Sequence, residues 1–113
     1  MSQLPRAASA RLDDAKIRQY LLSASHSPQA AAKERFFTNF GFSASNWDEL
    51  KNALLQHPLT NPVASRTTNA HGRKYAVSCS LRSPDRRNPC VVSVWIIEPP
   101  DPNPKFVTAY PGP

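Results

Sequence analysis

The spacing of apolar positions along this chain changes character near residue 60. Before that point apolar side chains recur with the period of a helix, and beyond it they come in short β-branched or aromatic runs. In Arg11 to Ala24, the residues Leu12, Ile17, Tyr20, Leu21 and Ala24 fall mostly on one helical face. Asp13 and Asp14 stand in the first turn, where their charge complements the helix dipole. Ser27 followed by Pro28 reads as a second helix start, since Ser caps free amides and Pro is preset for the first helical position. Lys33, Phe36, Phe37 and Phe40 then follow the i, i+3, i+4, i+7 spacing of a buried stripe, and Gly41 supplies a left-handed stop. This spacing predicts that the second helix is the central core helix. Ser45-Asn46-Trp47-Asp48 resembles a capping box, after which Trp47, Leu50 and Leu54 share a face. The third helix is expected to end at Gln56-His57-Pro58, because a residue before proline avoids the helical region.

The later runs are Arg73 to Arg82, Cys90 to Glu98 and Lys105 to Pro111, each bounded by Pro, Asp or Asn, and they read as strands. Val63 to Asn69 forms an extra strand candidate, joined through Ala70-His71-Gly72 to the strand at Lys74. Helices followed by strands predict an α+β fold, with three N-terminal helices packed on one face of a three- to four-stranded antiparallel sheet. The 113 residues suffice for a single core. Met1 to Ala10 carry Arg6 but no apolar centre, so they read as a disordered lead-in rather than a secretory signal, with the domain over residues 11–113. The longest apolar stretch, Cys90 to Ile97, is far too short to cross a bilayer, and no membrane partner is expected.

Charge sharpens this picture. The chain carries a net +6, with a pI near 9.8, and residues 61–113 hold seven Lys/Arg against three Asp/Glu. A positive field concentrates anionic partners, so nucleic acid and an acidic protein are both candidates. Cys79 and Cys90 flank the Ser83 to Pro89 turn, and hairpin pairing would bring them together. A bridge fits that geometry, but without a secretion signal reduced, buried thiols are the expectation. Two cysteines without a second pair make no zinc site.

Catalytic signatures are few. The only glycines are Gly41, Gly72 and Gly112, so there is no glycine-rich phosphate loop; His-Glu-x-x-His, Asp-rich and Gly-x-Ser-x-Gly motifs are absent too. Neither a cofactor nor a metal is expected. Metal-free RNA cleavage stays open, because the ribose 2′-hydroxyl is its own nucleophile and the protein adds only proton transfer and cations. His26, His57, His71, Lys33, Lys74, Thr108, Tyr110 and the arginines are suitable types. His26, before the second helix, reads as a general acid or base or as an ordinary loop residue. Lys33 either reaches a phosphate or snorkels at the core margin. His71-Gly72-Arg73-Lys74 is either a phosphate-facing turn or a solvated hairpin tip. Thr108 and Tyr110 alternate onto one strand face, where they orient a phosphate or merely finish a strand. Arg82, Arg86 and Arg87 would bind phosphate without reading sequence, or blunt a sheet edge. Trp95 is read as core rather than as a base-stacking platform.

Taken together, Tyr20-Leu21-Leu22, His26-Ser27-Pro28, Lys33-Glu34-Arg35-Phe36-Phe37, Gly41-Phe42, His71 to Val77, Ser93-Val94-Trp95-Ile96-Ile97-Glu98 and Phe106-Val107-Thr108-Ala109-Tyr110-Pro111 resemble a small bacterial family of uncharacterised domains, over about residues 15–111. That family is similar to the barnase, EndoU, colicin and RelE group of ribonuclease toxins. The resemblance implies a metal-independent endoribonuclease acting on tRNA or mRNA, from a toxin–antitoxin module or a polymorphic toxin. It also implies an acidic antitoxin or immunity protein as partner, and action in the cytoplasm of the producing cell or of a target cell. His26, Lys33, His71, Thr108 and Tyr110 are then the catalytic candidates, and Arg73, Lys74, Arg82, Arg86 and Arg87 the RNA-binding ones. The chain departs from the pattern at Ser78-Cys79-Ser80, where relatives carry a glycine, and at Arg87-Asn88. A non-catalytic basic binding module for an acidic protein is the alternative reading.

Overall fold

Strand propensity is most concentrated in Cys90–Ile97, and this run forms β3, an inner strand of the sheet. The computed structural model describes residues 3–18 and 28–112, with only the backbone for residues 29 and 30. β1 (Val63–Asn69), β2 (Gly72–Ser80), β3 and β4 (Lys105–Pro111) pair antiparallel in simple chain order. The candidate first strand is therefore real, and it turns into β2 through Ala70 and His71. Gly72 adopts φ +157°, and a Cβ there would lie 2.3 Å from the Ile97 carbonyl oxygen, so close backbone approach requires glycine at this hairpin.

Residues in register share a face, so the sheet sorts its side chains cleanly. Tyr75, Val77, Val91, Ser93, Trp95, Ile97, Phe106 and Ala109 are buried towards the helices. Trp95 meets Phe106 edge to face, with ring centroids 5.3 Å apart, and is wholly buried; it belongs to the core, as its flanks predicted. A register shift between Val94 and Trp95 leaves Val107 as an extra residue in β4, which is what allows Phe106 and Ala109 to point the same way.

The helical layer is arranged differently from the expectation. α1 is described over Asp14–Lys16, with Asp13 rather than Arg11 at its start and the Asp13 carboxylate accepting from the Ala15 amide. Arg11 is extended and bridges to Lys105. Tyr20, Leu21 and Ala24 lie outside the described residues. α2 (Pro28–Asn39) buries Phe37, with Phe36 and Phe40 only partly covered, so it is not the central helix. That position belongs to α3 (Trp47–Thr60), which buries Leu50, Ala53, Leu54, His57 and Pro58. α3 runs on through Pro58 instead of stopping before it. Its end is held by the Asn61 carboxamide, which donates to the carbonyls of His57 (2.9 Å) and Ser80 (3.0 Å). The capping box is built two residues earlier than predicted, from Ser43 and Asn46 on a short 3₁₀ turn (Ala44–Asn46).

Two further expectations are corrected. Residues 3–10 are packed rather than a lead-in: Leu4 is 2% exposed within the core, and a 3₁₀ turn (Ala7–Ser9) rests on α3. Cys79 and Cys90 are joined in a disulfide, not reduced and buried. Their adjacent places at the end of the β2–β3 pair bring the two Cα atoms to 4.3 Å, and that proximity overrides the expectation of reduced thiols.

Candidate functional site: the uncovered face of the sheet

β3 is apolar on both faces, which is the mark of a strand that asks for cover on two sides. Among the described residues the helical layer packs against only one. On the other face Val92, Val94 and Ile96 form a half-buried aliphatic floor. Register places Lys74 beside Ile96, Ala76 beside Val94 and Ser78 beside Val92 from β2, with Lys105, Thr108 and Tyr110 beside the same three residues from β4. The result is an apolar strip rimmed by amines and hydroxyls.

α2 lies next to β4, and its Lys33 reaches this face: Nζ donates to Thr108 Oγ1 at 2.9 Å. Both side chains are half-buried. Because Thr108 accepts from the ammonium, its own hydroxyl proton is left to point elsewhere, towards any anion resting on the floor. Tyr110 follows two residues on and is 40% exposed, so its phenol is open to the same face. Lys74 stands two strands away, with its long side chain on this face. Lys33, Lys74, Thr108 and Tyr110 are thus brought to one surface.

The other sequence candidates are elsewhere. His71 is exposed at the β1–β2 tip, five residues along from Ala76, which is the β2 residue level with Thr108. That is about 17 Å along the strand, too far to share a proton-transfer step with Thr108. Arg73 pairs with Ile97 and so alternates onto the face opposite to Lys74. Arg82, Arg86 and Arg87 belong to the β2–β3 connection, at the end of the sheet remote from His71. Arg82 borders a cleft of about 270 Å³ on the helical side, with Phe42, Glu49, Asn52 and Gln56. Arg87 is committed structurally: its guanidinium pairs with Asp85, donates to the Asn39 carbonyl and lies 4.4 Å from the centroid of the Phe40 ring. His26 lies outside the described residues.

His57, one of the suitable types, is only 1% exposed and lies beneath the sheet in a closed relay. A carbonyl can only accept, so Nε2–H donates to Cys79 O at 2.8 Å, and Nδ1 accepts from the Ser93 hydroxyl at 2.7 Å. Ser93 Oγ in turn accepts from the Trp95 indole N–H at 2.8 Å. Burial away from water pushes the imidazole pKa down, against the opposing pull of its hydrogen bonds to the Cys79 and Val91 backbone. The ring is therefore a neutral structural linker. Sequence reasoning missed both this relay and the apolar floor. The floor had a signal, since Cys90–Ile97 is apolar at nearly every position and cannot be half-solvated like an ordinary surface strand.

Among the described residues no group of three or more His, Cys, Asp or Glu could hold a metal ion, and no helix is long and apolar enough to cross a membrane. The chain is similar in fold to a chain of the contact-dependent growth inhibition toxin–immunity protein complex from Klebsiella pneumoniae 342, with a TM-score of 0.74 and 16% identity, covering 95% of this chain and 97% of that one. No curated protein matches. A family model matches residues 3–113, and the chain accordingly belongs to the family described as a domain of unknown function, DUF6883.

Proposed function

We propose that this chain is a metal-independent endoribonuclease toxin domain that cleaves RNA on the uncovered face of its sheet. The observation that carries the reading is the meeting of Lys33 and Thr108, an amine and a hydroxyl delivered from different elements onto a half-buried floor. Attack of the ribose 2′-oxygen on phosphorus expels the 5′-oxygen and leaves a 2′,3′-cyclic phosphate. The protein must accept one proton, return another and neutralise the charge gathering on the phosphorane. Lys33 supplies that neutralisation from a partly desolvated position, where a charge acts more strongly than in water. Thr108 orients a non-bridging oxygen, Tyr110 donates along the same strand, and Lys74 holds the flanking backbone. Val92, Val94 and Ile96 offer an apolar surface on which a base can rest. His26 is assigned the proton-transfer role. His71 and Arg73 hold RNA further out, since neither stands at the Lys33–Thr108 group.

The structural neighbour comes from a toxin–immunity protein complex, which supports a role on one side of such a pair, with a dedicated protein partner. The test is incubation of the purified chain with total RNA in EDTA, with product ends identified. Cleavage leaving 2′,3′-cyclic phosphates is expected, falling by about 10²-fold or more for Lys33→Ala and His26→Ala, the range typical of lost acid–base or electrostatic groups. Intact RNA at high protein concentration, or cleavage indifferent to both substitutions, defeats the reading.

A further inference from the structure

The two edges of the sheet are treated differently. Along β4, Arg11 donates its amide to Pro104 O at 2.8 Å and accepts from the Phe106 amide at 2.9 Å, so Arg11 covers the start of that edge. β1 is the opposite edge, and every residue from Ala64 to Asn69 is exposed. Alternate residues of an edge strand turn their N–H and C=O groups away from the neighbouring strand, which makes a template for another chain. Proteins commonly guard such edges with a proline, a cover or a very short strand. Here Pro62 lies just outside the strand, and the register shift between Val63 and Ser65 leaves Ser65–Asn69 as a regular ladder, about 17 Å long.

Charge selects the occupant. Between Glu49 and Asp85 the chain has no Asp or Glu, while the β1–β2 hairpin carries Arg66, His71, Arg73 and Lys74. Arg66 is in register with Tyr75, and Arg73 with Thr68, so the two arginines share one face, whereas Lys74 stands on the other. A strand laid along β1 would have cations on both sides. Outward carbonyls alternate with outward amides along such an edge, an arrangement that another peptide backbone satisfies and that a phosphate backbone, which only accepts, does not.

We propose that β1, over Ser65–Asn69, is the docking edge for an acidic protein partner, which extends the sheet by one strand and sets its carboxylates beside Arg66 and Arg73. This inference rests on the protein-partner part of the reading above and is independent of the RNA chemistry.

The test uses the full chain labelled for amide NMR and a short acetylated peptide alternating Glu and Val as probe, with an alternating Lys/Val peptide and a single-stranded RNA oligonucleotide as comparisons. The acidic peptide is expected to shift the amides of Ser65–Asn69 and slow their exchange, and the basic peptide to leave them unchanged. Arg66→Glu is expected to weaken acidic-peptide binding by about tenfold or more, as opposed charges become like ones, while RNA cleavage stays at the wild-type rate. Neighbouring strand residues direct their amides alternately inwards and outwards, so of Arg66→Pro and Thr67→Pro one removes only an outward donor. That variant, recognised by unchanged β2 amide shifts, is expected to lose the peptide. Equal binding of the basic peptide, shifts on the Thr108–Tyr110 face instead of β1, the same slowed exchange of the Ser65–Asn69 amides with the RNA oligonucleotide, or no response at millimolar peptide each overturns the proposal. Peptide binding without RNA cleavage sinks the nuclease reading and leaves this one standing.

Discussion

Replacing Ser93 by alanine removes a single oxygen atom, yet it is expected to be among the most damaging small substitutions in this protein. Ser93 and Trp95 are both 0% exposed and His57 is 1% exposed, so water cannot take over a lost partner without opening the core. The hydroxyl serves two groups at once, accepting from Trp95 Nε1 at 2.8 Å and donating to His57 Nδ1 at 2.7 Å. Its loss strands a buried donor and a buried acceptor, each costing about 1–3 kcal/mol, so Ser93→Ala should destabilise the chain by about 2–6 kcal/mol. Ser78→Ala is the matched control. Ser78 lies on the same hairpin but faces the uncovered side, with a half-buried hydroxyl whose contact is the Cys90 sulfur at 3.6 Å. Its loss should cost no more than about 0.5 kcal/mol. Urea unfolding reads both, as a shift in midpoint at constant slope. Equal small losses for the two variants, or a Ser93→Ala cost below about 1 kcal/mol, would show that the relay contributes nothing beyond its volume.

The same relay sets a pH dependence. His57 is held neutral by burial, so its folded-state pKa lies below the ordinary imidazole value of about 6.5. Its contribution is fully present above that value and is lost as the pH falls towards the folded pKa, because the unfolded chain takes up the proton first. The urea midpoint should decline on acidification through about pH 6, and His57→Gln should flatten that decline; an unchanged slope in the variant would refute the assignment. The Cys79–Cys90 disulfide spans a sequence separation of 11, for which chain entropy predicts a stabilisation of about 3 kcal/mol. Reduction and the Cys79→Ser/Cys90→Ser pair should therefore shift the midpoint alike, and no shift in either case would contradict the linkage. Arg87→Ala should cost about 1–2 kcal/mol through the lost Phe40 stacking and Asn39 hydrogen bond, read by the same unfolding curves; a neutral result would mean that Arg87 is an idle surface charge.

The strands were legible because their signals are local. β4 occupies the predicted Lys105 to Pro111, and Ala70-His71-Gly72 gave away the β1–β2 turn. The helical errors come from competition that local patterns cannot rank. Ser43 and Ser45 both precede a polar residue three positions on, and the one that also reaches Asn46 won. The rule that a helix ends before proline fails at Pro58, because burial of His57 and Pro58, with Asn61 holding the end, offsets the hydrogen bond that proline forfeits. Leu4 looked like part of a polar leader because a single apolar residue carries no period, yet it finds a place in the core. Of the candidate site, Thr108 and Tyr110 could be placed on one face by alternation alone. Their union with Lys33 could not, since it depends on how α2 packs beside β4 and on the extra residue at Val107. For the same reason the remoteness of His71, and the commitment of Arg87 to Asp85 and Phe40, are properties of the assembled sheet.

The unequal edges also govern what two copies of this protein can do to each other. With Arg11 already bonded at the start of β4 and β1 exposed along its regular ladder, self-pairing through β1 would be head-to-head about a twofold axis and would halt at two molecules instead of growing into a fibre. Even that pairing sets Arg66 of one molecule close to Arg66 of the other, and the repulsion leaves the site vacant for a negatively charged visitor.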